Sequence, residues 1–164
     1  MGKKSKEIQV MSALLEARRL LETVTPLRTD CGRLCGCACC QGDEEEGMLL
    51  FPGEGMLYAG CGFGRILEAP FELESDGLFV CRTWCPRQDR PLACRLFPLF
   101  LRHPDTAPEL ILDPRSRSIC PLYRSGTQGL QPAFLEAARA AYALLLEDEA
   151  CRRFLIALDR ELQL

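Results

Sequence analysis

Eleven of the 164 residues are cysteine, and five of them, Cys31, Cys35, Cys37, Cys39 and Cys40, fall within the ten residues CGRLCGCACC. Thiolates are soft, strong ligands, and packing several together is unfavourable unless something positive binds them. Cys81, Cys85 and Cys94 make a second group, and Cys120 stands alone as a third. These residue types point to ligation of a metal ion or cluster.

The spacing refines that reading. Cys31, Cys35 and Cys39 recur every four residues, which places thiols on one side of a helical turn or around a tight loop. Gly32, Gly36 and Ala38 between them let the backbone wrap closely around a bound centre. Cys39 and Cys40 are adjacent and cannot aim the same way from a regular backbone, so at least one of them serves a different centre or supports the ligands. Cys37 reads equally as a ligand or as a free or packed thiol. Around the second group, Pro86, Pro91 and Pro98 restrict the chain, as suits a preformed ligand loop. Four thiolates around zinc, or around a [4Fe–4S] core of charge +2, leave a net charge of −2. Arg90 and Arg95, set among these cysteines and prolines, are expected to offset it and to hydrogen-bond the sulfurs.

The run Cys31, Cys35, Cys39-Cys40, followed by Cys85, Arg90-Pro91 and Cys94-Arg95-Leu96-Phe97-Pro98, resembles the YkgJ-type cysteine-cluster family, a CxxCxxCC zinc- or iron-chelating domain. The likeness covers residues 31–121, and the segment from Arg90 to Pro98 is its most specific part. It implies chelation through the first group, a cysteine upstream of Arg90-Pro91 (Cys81 or Cys85), Cys94 and Cys120. The cysteine domain of flagellin lysine N-methylase is similar as well, which implies an iron–sulfur centre. In this chain the first group has three intervening residues where the family has two, and Cys37 is inserted.

Zinc and iron–sulfur cores both accept four thiolates, so the cofactor is expected to be one or the other. His103 is the single histidine, in a loop before Pro104, so mixed Cys/His sites are largely excluded. The start MGKKSKEIQV lacks the apolar run of a signal peptide and the cysteine count is odd. Both argue for a cytoplasmic metal protein over a secreted disulfide scaffold. No apolar stretch reaches the roughly 20 residues a membrane helix needs. The net charge of −3 and the acidic run Glu44 to Glu46 give no nucleic-acid footprint, whereas a protein partner is compatible with the sequence.

Positioning these residues requires a frame. Residues 5–24 read as an amphipathic helix with Val10, Leu14, Ala17, Leu21 and Val24 on one stripe, ended by Pro26. The middle suggests short strands at 48–51, 56–58 and 78–81. Alternation at Phe71, Leu73 and Ser75 runs into an Asp76-Gly77 turn, and a further hairpin is expected around Asp113-Pro114. Gly60 to Gly64 reads as a turn, since it lacks the spacing of a nucleotide loop. From Pro132 to residue 163 the pattern is helical, with a break near 147–149 and Asp148 as a good cap. Cys61 is a further candidate ligand or a small packed residue; Cys151 lies on the apolar face of the last helix. Trp84 and Phe97 are expected to shield the centre from water.

The expected fold is one α-rich, irregular α+β domain over 1–164, its flanking helices and short hairpins enclosing a cysteine-rich core at 31–121. No catalytic constellation is visible, so a metal-binding protein is expected, more readily than a stand-alone enzyme. Two alternatives remain: an iron–sulfur component of a redox or protein lysine methyl-transfer system, and a metal or thiol buffer.

Overall fold

The computed structural model describes residues 3–83 and 85–163, with side chains from residue 7 onward. Helix α1 spans Lys3–Leu20. Val10, Leu14, Ala17 and Leu21 are buried along one line, as their spacing predicts. The regular helix stops before the proline-based expectation. Leu21 and Glu22 donate their amides to Arg18 and Arg19 in tightened closing turns at 3.2 Å each. The β-branched run Thr23-Val24-Thr25 is poorly suited to helix, and Pro26 then excludes it.

At the other end of the chain, α4 (Pro132–Glu147) and α5 (Glu149–Glu161) are separate helices. Asp148 divides them: its Oδ1 accepts the amides of Ala150 at 3.0 Å and Cys151 at 2.9 Å. Those are donors the first turn of α5 would otherwise leave unpaired. Phe134, Ala138, Ala141, Tyr142 and Leu145 on α4, and Cys151, Phe154, Leu155 and Leu158 on α5, are all buried. α4 packs between α1 and α5, and Phe51 meets Phe154 edge-on at 5.0 Å. Each of the large aliphatic side chains removed from water here stabilises the fold by about 1.5–3 kcal/mol.

Two small antiparallel sheets complete the frame. In the first, β1 (Met48–Leu49), β2 (Gly64–Leu67) and β3 (Leu78–Cys81) are ordered β1-β3-β2, with Gly64 opposite Cys81 and Met48 opposite Phe79. Its buried side carries Leu50, Tyr58 and Phe79, with Phe63 against them. Tyr58 lies 4.8 Å and Phe63 5.8 Å from the Phe79 ring, a compact aromatic group. Gly64 is required there, because a Cβ would stand 2.2 Å from Phe79 Cζ.

Three local expectations change. The 56–58 segment lies in a 3-10 helix, Glu54–Tyr58, which Gly53 opens with a φ of 83°. Phe71, Leu73 and Ser75 form successive tight turns instead of a strand, with Leu73 N–H on Phe71 O and Ser75 N–H on Leu73 O, each at 2.8 Å. Finally, β5 (Glu109–Leu112) pairs backwards with β4 (Leu99–Arg102), Leu99 opposite Leu112. Asp113 then caps a 3-10 helix, Pro114–Ser118, where a hairpin turn was expected. Among the described residues no helix is long and apolar enough to cross a membrane.

Candidate metal centre

The first cysteine group is shaped by one helical turn and two left-handed residues. Cys31 precedes the short helix α2 (Gly32–Cys35), and Cys35 follows one turn later, its Sγ 3.8 Å from Cys31 O. Gly36 (φ 61°) and Cys37 (φ 61°) are both left-handed, and they reverse the chain into a 3-10 helix, Ala38–Cys40. Left-handed geometry is ordinary for glycine and uncommon for cysteine. Cys37 Sγ lies under Gly32, where a Cβ would meet it at 2.6 Å. The reversal leaves Cys39 and Cys40 with sulfurs 4.0 Å apart.

The other thiols arrive from separate elements. Cys81 ends β3, and Cys94 sits on α3 (Leu92–Leu96). Cys85 is buried, with its Sγ 3.6 Å from Pro86 O. Cys120 precedes the 3-10 helix Pro121–Ser125, and its amide bonds Ser116 O at 2.8 Å. Ser116 is in turn fixed by Asp113, whose amide bonds Pro98 O at 2.8 Å and whose carboxylate holds the Arg115 guanidinium at 2.6 Å.

These segments line two adjoining hollows. A small pocket of about 40 Å³ is bounded by Cys31, Cys35, Cys39, Cys94 and Cys120, with Arg87 and Arg90 on its wall. A wide cleft of about 660 Å³ is bounded by Cys39, Cys40, Cys81 and Cys94. Cys39, Cys94, Phe97 and Ile119 border both. Seven of the eight cysteines expected as ligands therefore line two adjoining hollows, from four stretches of chain. Cys85 is on neither wall, although the charges of Cys81 and Cys40 reach it. Among the described residues no three side chains stand in ready-made ligand geometry, so the thiols are gathered without being closed around a point.

The electrostatics favour thiols over free thiolates. Burial raises Cys31, Cys81, Cys94 and Cys120 above the ordinary cysteine range, Cys94 well above it, and pushes Cys85 to about 12. The vicinal pair divides: the Cys39 thiol, donating to Cys40, is raised, while Cys40 is lowered to about 6 by that contact and by Arg90. Crowded thiols of this kind ionise together only when a cation supplies the opposite charge.

The two arginines singled out by the sequence part company. Arg90 Nε is buried with no hydrogen-bond partner among the described residues. Its positive charge favours the thiolate form of Cys31, Cys37, Cys40, Cys81 and Cys85. An orphaned cationic donor beside thiols fits a centre with excess negative charge. Arg95 also borders the small pocket, but its nitrogens are taken up by backbone carbonyls. It donates Nε to Arg90 O at 3.1 Å, Nη1 to Arg18 O at 3.0 Å and Nη2 to Gln88 O. Its guanidinium thus clamps the loop that carries the ligands.

Two residues of this clamp carry no signal in the sequence. Arg18, on α1, donates Nη1 to Glu54 at 3.2 Å, to Tyr58 Oη at 2.7 Å and to Arg90 O at 2.9 Å. Glu54, fully buried, accepts the Leu92 amide at 2.6 Å and the Phe51 amide at 3.1 Å. Burial raises its carboxyl, with the two amides and Arg18 opposing. Only the interlocking of distant segments shows these roles.

The remaining candidates stand apart. Cys61 bonds Gly64 O at 3.7 Å beside the aromatic group and borders neither hollow, and Cys151 is buried in the main core. His103 takes a φ of 51° in the β4–β5 turn, where its amide bonds Asp159 at 3.1 Å. Trp84 lies outside the described residues, whereas Phe97 does border both hollows. Comparison of the chain with protein-family models, curated proteins and solved structures found no match.

Proposed function

We propose that this chain is a metal- or cluster-binding protein of the YkgJ type, whose bound centre draws the loop-rich middle of the fold together. One observation carries the reading: seven cysteines from four separate stretches line two adjoining hollows, with an unpartnered Arg90 Nε buried beside them. The donor set is entirely sulfur, as zinc and iron–sulfur cores both accept. Arg90 offsets the surplus negative charge, and the Arg18–Glu54–Arg95 clamp holds the Gln88–Arg90 carbonyls so that Cys94 is presented from a fixed turn.

Because the thiols are gathered without being closed, binding contracts the loops and releases protons, and its free energy adds to folding. Anaerobic purification followed by iron, zinc and acid-labile sulfide analysis tests the reading, together with thermal unfolding before and after chelation. Bound metal and a lower midpoint after chelation are expected. A metal-free protein that neither binds zinc nor accepts an iron–sulfur core, and unfolds identically with and without chelator, overturns it.

A further inference from the structure

The thiols are not arranged evenly around one point. Cys31, Cys35 and Cys120 border only the small pocket, Cys40 and Cys81 border only the wide cleft, and Cys39 and Cys94 stand in the wall between. The two spaces differ sharply in size. Pro26, Leu34, Pro121 and Leu122 give the pocket an apolar wall, and its volume of about 40 Å³ has room for an ion and little else. The cleft, at about 660 Å³, opens past Gln41, Glu45 and Glu46.

We infer that the centre takes two divalent cations of unequal accessibility. One sits in the small pocket on Cys31, Cys35 and Cys120, and one in the wide cleft on Cys40 and Cys81, with Cys39 and Cys94 completing both coordination spheres. This deepens the metal-binding reading and rests on it. Tetrahedral coordination needs four donors per ion. The cleft ion has them from its two own thiolates and the two in the wall. The pocket ion has three of its own and needs one from the wall, so one thiolate bridges. Arg87, Arg90 and Arg95 line the pocket, which carries the larger number of private thiolates, and Arg115 lines the cleft. Exchange follows from size, so the pocket ion is retained and the cleft ion is available to an incoming chelator or acceptor thiol.

The test uses the full chain, reduced and metal-free under anaerobic conditions. It is loaded with zinc(II), freed of excess metal and assayed for zinc per chain, then challenged with a chelator while release is followed. Two equivalents leaving in two phases at least tenfold apart in rate are expected. Cys81→Ser should abolish the fast phase alone, and Cys120→Ser the slow one. The unmodified chain decides by itself, so a variant that fails to fold does not blunt the test. A single equivalent, or two leaving in one phase, overturns the double centre and leaves the metal-binding reading standing. So does a protein isolated with one four-iron, four-sulfide core. Failure to retain zinc or to accept an iron–sulfur core sinks both.

Discussion

At the scale of single residues, the division of labour between Arg90 and Arg95 is the most exposed part of this account. Arg90 has a buried nitrogen with no partner among the described residues and a charge that reaches five cysteines, so under the proposed metal reading its effect is felt by the bound centre. Arg90→Gln should weaken metal affinity by roughly 10–100-fold, as removal of outer partners does at other metal sites, measured by chelator competition. Unchanged affinity would remove Arg90 from the site. Arg95 donates to three carbonyls, so Arg95→Met should lower stability by about 1.5–3 kcal/mol in urea unfolding of the metal-free protein. An equally stable variant would show that the clamp contributes nothing. The cysteines were legible because thiols are rare and their grouping is local. Glu54 was not, because its partners Arg18 and Leu92 come from stretches that no sequence window joins to it.

At the scale of elements, the helices follow their patterns and the short segments do not. Leu14 and Leu145 are fully buried because a 3.6-residue period is repeated over several turns and packing amplifies it. Leu14→Ala should therefore cost about 2–5 kcal/mol of unfolding free energy, and a loss below 1 kcal/mol would contradict the α1–α4 packing. The residues 71–75 show the reverse case: alternation suggested a strand, yet Leu73 and Ser75 are each held by a turn bond to the residue two positions back. Strand formation needs a partner, and β3 already pairs with β1 and β2 on its two edges. Gly64 sits at the close contact of β2 with Phe79, so Gly64→Ala must displace the aromatic group behind Cys81. A loss of about 1–3 kcal/mol, read by denaturant midpoint, is expected, and an unchanged midpoint would contradict that contact.

For the whole molecule, the α1–α4–α5 body carries a conventional apolar core, and Cys31 and Cys120 pack against its edge. The cysteine-bearing loops extend from that body with little regular structure of their own. Their convergence was only partly legible, since spacing named the ligand candidates but the two adjoining hollows exist only once the chain is folded. The most direct test is X-ray absorption spectroscopy of the metal-loaded full chain at the edge of its bound metal. A first shell of sulfur alone is expected, at about 2.3 Å for zinc. A shell of oxygen or nitrogen donors would contradict the claim that cysteines from four distant stretches hold one centre.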